Sequence, residues 1–266
     1  MYSRQYSEPF ANSTHNSFGD IPASPYLVTA IVSTYNSERF MRACMENLES
    51  QTIRDKLEII VIDSGSLQNE AAIVAEFQRK YHNIRYLRTE RENSHVAFYR
   101  GIILARGQYI AAANTDDRHH PDAFRRMIDV FEANPDVGVV YFDSAITQTE
   151  NTTLDVGPIT GRFRWPDFDR NLLFQVCFIG PQAMWRRSLN EQFGGFDPEF
   201  ISAGDYEWWL RLSDKTRFYH IPEVLGLYLE SPTSNEHKDL GRSFRESEKA
   251  RIRYWKMKDG PRPPVR

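Results

Sequence analysis

The chain has 266 residues, 41% of them hydrophobic and 26% charged, enough for one large domain or two small ones with a sizeable core. Its net charge of −3 and pI near 6.2 exclude the basic excess expected of a nucleic-acid binder. Cys44 and Cys177 lie far apart with no CxxC or Cys/His ligand spacing, so both read as reduced, small hydrophobes. No apolar run approaches the ~20 residues that span a bilayer. No charged-then-apolar leader opens the chain, and the expectation is a soluble protein.

Residues 1–24, rich in Ser, Asn, Tyr and Pro without apolar periodicity, read as a flexible tail. Residues 26–32 (YLVTAIV) form a short β-branched run that fits a strand buried on both faces, as parallel sheets require. The turn Ser33-Thr34-Tyr35-Asn36 follows. A helix is then predicted, with Phe40, Ala43, Cys44, Asn47 and Leu48 at helical spacing and Ser37 as its cap. Residues 58–63 (EIIVID) read as a second buried strand ended by Ser64-Gly65-Ser66. A second helix places Ala72, Val74, Ala75, Phe77 and Tyr81 inward. Residues 84–87 make a third strand, and 96–105 a third helix for which Arg106-Gly107 is a C-cap signal. Residues 109–113 read as a fourth strand running into Asn114-Thr115-Asp116-Asp117.

That rhythm means βαβ units and a mainly parallel α/β sheet flanked by helices. Ligands of such sheets bind beyond the carboxyl ends of the strands, where three polar turns collect here. Further on, 121–132 reads as a helix and 137–142 as a strand. Residues 143–169, with Phe163, Trp165 and Phe168, read as loops or a short hairpin. Residues 205–212 and 240–255 read as helices, ahead of a basic, Pro-rich tail at 256–266.

Adjacent Asp116 and Asp117 repel each other unless a cation or donors neutralise them. Mg²⁺ and Mn²⁺ take one or two carboxylates together with diphosphate oxygens and water. The bland alternative is a helix N-terminus, with Asp117 serving the dipole. Asp63, ending a buried strand, can accept from a base or ribose donor or close an Asx-turn. Asp205 in Gly204-Asp205-Tyr206-Glu207-Trp208-Trp209 is either a helix cap or a general base. Phe196, Trp208 and Trp209 around it suggest a sugar-stacking platform or simply core. His119 and His120 read as residues supporting the acid pair or starting the next helix, and His237 as a weak metal or phosphate candidate. No P-loop, GxGxxG or GxSxG motif is present.

Taken in order, Ile31 to Asn36, Glu58 to Ser66, Gly101 to Ile110, Asn114 to Asp117, and Gly194-Gly195-Phe196-Asp197 with Gly204-Asp205 resemble the family 2 glycosyltransferases, including their SpsA-like members. The resemblance covers about residues 26–230. It implies a GT-A fold with a nucleotide-binding half at 25–118, an acceptor half at 119–240, and a C-terminal helix and basic tail at 241–266. It implies a hexosyl-transferring enzyme that inverts configuration, using a nucleotide-diphosphate sugar (UDP favoured) and Mn²⁺ or Mg²⁺. By that likeness Ser33, Thr34, Tyr35, Asn36, Asp63, Asn114 and Asp116 would hold the nucleotide. Asp117 with Asp116 would hold the metal, and Asp205 would be the base. Trp165, Gln182 and Trp208 would face a glycan, lipid-linked or protein acceptor. Such an enzyme is expected in the cytoplasm, free or peripheral to the membrane.

The chain departs from that pattern at four places. Asn114 and Gly204 stand where many relatives carry an acid, Ser64 follows Asp63, and Tyr99 replaces a frequent Asn. Two other readings stay open: a non-catalytic nucleotide-sugar or glycan-binding module on the same scaffold, and a sugar-phosphate nucleotidyltransferase. The second would normally show a Gly-rich, basic phosphate loop, which 33–36 does not supply.

Overall fold

A computed structural model describes residues 24–231 and 239–255. The expected tails at 1–23 and 256–266, and His237, lie outside the described residues. The first half alternates as expected. Strands β1 (Val28–Thr34), β2 (Leu57–Asp63), β3 (Ile84–Arg88) and β4 (Tyr109–Ala112) are separated by α1 (Glu38–Glu49), α2 (Glu70–Gln78) and α3 (Ser94–Leu104). These strands pair in parallel in the order β3-β2-β1-β4. Parallel pairing with helices on both sides explains the continuous apolar runs. In β1, Val28, Ala30 and Val32 join one core layer and Ile31 the other; in β2, Ile59 and Val61 oppose Ile60 and Ile62.

The second half is built differently. It contains β5 (Arg118–His119), α4 (Ala123–Ala133), β6 (Val137–Thr147), β7 (Gly161–Phe163), α5 (Arg170–Leu173), β8 (Met184–Arg186), α6 (Ser188–Phe193), α7 (Gly204–Leu212), β9 (Arg217–Leu229) and α8 (Leu240–Tyr254). Strand β8 runs antiparallel between β4 and β6, β9 is parallel to β6, and β5 closes the sheet antiparallel to β9. Strand β7 pairs antiparallel with β6, so the loop-or-hairpin segment does form a hairpin.

The periodicity did not announce β5, β8 or β9. Strand β9 carries Pro222 and Glu223 at its centre, and its ladder with β6 shifts register between Phe142 and Ser144. Strand β6 likewise continues through polar Asp143 and Ser144, both buried.

Two local expectations are corrected. Ser37 precedes α1 but makes no side-chain cap; its N–H donates instead to Glu70 Oε1 across the neighbouring loop. Gly107 is not a helix C-cap, because α3 ends at Leu104 with Ala105 extended. Gly107 lets the chain press onto β1. A Cβ there would lie 2.6 Å from both Thr29 N and Val28 C, and its N–H donates to Thr29 Oγ1 at 2.9 Å.

Candidate active site at the carboxyl edge of the sheet

The register that pairs Thr34 with Asp63 and Ile31 with Ala112 sets three strand ends side by side. The polar turns that follow are tied to one another. Asn36, at φ 51°, accepts from Leu67 N–H at 2.7 Å and donates its own N–H to Ser66 Oγ at 3.0 Å. Ser33 is half-buried and Thr34 buried; the ring of Tyr35 is exposed, with the Arg91 guanidinium 3.7 Å above it.

Asp63 is wholly buried. Oδ1 accepts from Ser66 N–H at 2.7 Å, closing the turn, and Oδ2 accepts from Tyr86 Oη and from Arg88 Nη1 at 3.1 Å. The turn role is thus seen directly, and a base could reach this carboxylate only by exchanging one of these donors.

Asp116 and Asp117 leave β4 just before β5. Asp117 is buried, accepting from Asn114 Nδ2 at 2.9 Å and from Leu229 N–H at 3.3 Å. Asn114 is exposed; as an amide donor where many relatives carry an acid, it partly compensates its neighbour's charge. Burial, then the adjacent Asp116 charge, push the Asp117 carboxyl up to about 8. Asp116 is also pushed up, mainly by burial, against the pull of Arg118 and Arg39. Buried Arg118 donates to Thr115 O and Asp117 O at 2.9 and 2.6 Å and to Asn151 Oδ1 at 2.9 Å, which braces the loop rather than pairing the acids.

The histidines beside the acids are not shaped as ligands. His119 lies in β5 with its ring edge-on to Phe124 and Phe142, and burial drops its pKa to about 3. His120 Nδ1 accepts from Asp122 N–H.

Among the described residues no cluster of three or more His, Cys, Asp or Glu could hold an ion. Two carboxylates are nevertheless what Mg²⁺ or Mn²⁺ takes from a protein when diphosphate and water complete the shell. The raised Asp117, in no ion pair among the described residues and only partly offset by Arg118, fits that donor set.

Asp205 opens α7, half-buried, with Oδ1 accepting from Tyr206 N–H at 2.7 Å. Helix α3 starts beyond the end of β3 and brings His95 against Gly204, the residue before Asp205. Tyr99 on the same helix lies against Gly195.

Of the residues expected at an acceptor, only Trp165 is partly open, stacked on Phe163 at 4.7 Å. Trp208 offers no face for stacking: it is wholly buried, with the Arg211 guanidinium 4.9 Å over its ring. Gln182 is also interior, donating to Arg118 O at 2.7 Å and accepting from Ser144 Oγ, so it braces β5. A cleft of about 540 Å³ opens beside Asn36, Arg39 and Arg42, but none of the four acids lines it.

Sequence reasoning overlooked Asn47. Its amide donates to His119 O and accepts from His119 N–H, both at 2.8 Å, pinning the segment after the acid pair to α1. The available signal was a polar residue in the apolar stripe of that helix.

A mainly parallel sheet flanked by helices, with an acid pair beyond the carboxyl ends of its strands, is an α/β fold of the GT-A type. A family model described as Glycosyl transferase family 2 matches residues 29–194, and the chain belongs to that family. It is 26% identical over 198 residues to the chondroitin synthase of Escherichia coli, covering 74% of this chain. It spans only 28% of that synthase's length. It is also 25% identical over 209 residues to an uncharacterized glycosyltransferase of Methanocaldococcus jannaschii, covering 76% of this chain and 70% of the relative.

Among solved structures, S. aureus TarS 1-349 in complex with UDP superposes with a TM-score of 0.67 at 16% identity, over 86% of this chain and 65% of that one. The mannosyltransferase PcManGT from Pyrobaculum calidifontis, in complex with GDP-Man and Mn2+, gives 0.65 at 22%, over 92% and 69%. At these identities the likeness establishes the fold. Among the described residues no helix is long and apolar enough to cross a membrane.

Proposed function

We propose that this chain catalyses inverting transfer of a sugar from a nucleotide-diphosphate donor, UDP-sugar favoured, to an acceptor hydroxyl. The observation that carries the reading is the Asp116-Asp117 pair at the carboxyl edge, Asp116 half-buried and Asp117 buried, with Asp117 holding its proton up to about pH 8. Such a pair calls for a cation, and a diphosphate at this edge would supply ligands beyond the two carboxylates. Fold neighbours bound to UDP, UDP-GlcNAc, or GDP-Man with Mn2+ support the donor class.

In this reading Ser33, Thr34, Tyr35, Asn36 and Asn114 wall the nucleotide, and Asp63 meets the base by exchanging Arg88 or Tyr86. Asp116 lies toward the ribose and Asp117 with Asp116 toward the metal. When bound, Mn²⁺ or Mg²⁺ would offset charge building on the leaving diphosphate. Asp205 takes the proton of the acceptor hydroxyl. The freed oxygen pair bonds the anomeric carbon from the face opposite the diphosphate, whose C–O bond breaks with its electron pair. Trp165 sits at the rim where a glycan, lipid-linked or protein acceptor would arrive.

The reading is tested with Asp205→Asn, by UDP release from UDP-GlcNAc and GDP release from GDP-mannose in Mn²⁺, with water in the acceptor's place. Loss of a general base predicts a fall of about 10²–10⁴ in turnover with donor binding kept. Wild-type turnover in the variant would sink the assignment of Asp205.

A further inference from the structure

Gly204 and His95 form a pair that the reading above does not use. The imidazole of His95, in the first turn of α3, fills the space a side chain at position 204 would need. A Cβ at Gly204 would lie 2.8 Å from His95 Cδ2 and Cγ and 2.9 Å from Nδ1. Gly204 is not in a left-handed conformation, so the ring, and not backbone strain, is what the small residue accommodates. Phe196 packs against the other side of the ring, centroids 5.4 Å apart.

His95 Nδ1 is buried without a hydrogen-bond partner among the described residues. The charged groups facing the ring come from two helices: Asp205 from α7 and Glu246 from α8. Glu246 is held in place, its Oε2 accepting the N–H groups of Ile201, Ser202 and Ala203 just before α7. The Phe200 and Ile201 backbone favours a proton on the ring by hydrogen bonding. A neutral imidazole carries one N–H and one lone pair, and Nδ1, which has no partner among the described residues, can serve as the lone pair. A buried ring nitrogen without a partner, set against the residue before Asp205, asks for a role.

We propose that His95 is the positioning residue of Asp205. Lodged over Gly204, it fixes the carboxylate's place and offers Nδ1 to the proton Asp205 has taken from the acceptor. The inference rests on Asp205 being the base. The step balances: the acceptor O–H bond breaks and its proton joins an Asp205 oxygen, then moves to Nδ1. The carboxylate is restored and the ring carries the charge until solvent removes the proton. Burial, the largest influence on the ring, keeps it neutral and ready before each turnover, while Asp205 and Glu246 favour the transient cation.

The first test needs no substrate. The His95 ring is titrated by NMR in the wild type and in Asp205→Asn. Removing the anion should lower its midpoint by half a unit or more, and an unmoved midpoint overturns the proposal. The second follows UDP release from UDP-GlcNAc with Mn²⁺ across pH, in His95→Ala, His95→Asn and Gly204→Ala. Melting temperatures confirm that each variant folds, and Gly204→Ala leaves the histidine present but displaced.

The expected result is a kcat at least tenfold lower in all three with donor KM within about twofold, and an acid limb changed in both His95 variants. Wild-type rate and pH profile in the folded His95→Asn and Gly204→Ala proteins would mean that His95 only fills space. If Asp205→Asn turns over normally, the base reading itself fails; if it is inactive while the His95 and Gly204 variants are normal, this inference alone fails.

Discussion

Asp117 and Cys44 show at the residue scale how burial sets chemistry. The native chain keeps a proton on Asp117 up to about pH 8, whereas an unfolded aspartate releases it near 4. Between those values the folded state binds the extra proton. Stability without metal therefore falls as pH rises from about 4 and levels off above about 8. Melting scans in EDTA should show that decline in the wild type and lose much of it in Asp117→Asn. An identical slope in both would contradict the assigned burial. Since the ligand must be deprotonated, apparent Mn²⁺ affinity should climb by up to about tenfold per pH unit below 8.

Cys44 is nearly inaccessible, and burial raises its thiol to about 12. It should resist a thiol reagent in the native protein and react only on unfolding. The acids themselves were legible in the sequence because adjacent carboxylates at a strand end are costly. The burial of Asp117 was not, since Leu229, whose N–H it accepts, lies 112 positions away.

At the scale of elements, the strand after the acid pair is held by side chains as much as by the sheet. Asn47 grips His119 at both backbone groups; Gln51 donates to His120 O at 2.9 Å and accepts from Phe124 N–H. Asn47→Ala leaves a buried carbonyl and N–H unpaired. It should cost about 1–3 kcal/mol in urea unfolding and weaken metal-dependent nucleotide binding by loosening the loop at 114–117. Unchanged stability would mean that Gln51, Gln182 and the pairing with β9 hold β5 without Asn47.

Gly107→Ala is the harsher change, because the new Cβ meets backbone 2.6 Å away. A loss of about 1–3 kcal/mol, typical of overpacking, is expected. Elements with a clean period and a turn signal, such as β1, β2 and α4, could be read in advance. Strand β9 could not: its Pro222-Glu223 interruption breaks the alternation, and its place depends on pairing with β6, some 80 residues earlier.

Across the whole molecule the sheet joins two kinds of order. The parallel half, β3-β2-β1-β4, sets the polar turns side by side at one edge; β8, β6, β9 and β5 complete the sheet after the acid pair. The first half was legible because local βαβ units dictate it. The second was legible only in part, as α4, β6, α7 and α8, because antiparallel insertion of β8 between β4 and β6 is a tertiary choice that short strands cannot encode. The same limit explains Trp208 and Gln182. Their residue types suit a sugar site, yet packing turns both inward.

The central claim, that the edge holding Asp116 and Asp117 is a metal-dependent nucleotide-sugar site, is tested most directly by thermal shift. UDP, GDP and dTDP are each added with and without Mn²⁺ to the wild type and to Asp117→Ala. The account predicts a higher melting temperature for one nucleotide, UDP first, that requires Mn²⁺ and vanishes in the variant. No shift with any nucleotide in either condition, or an undiminished shift in Asp117→Ala, would contradict it.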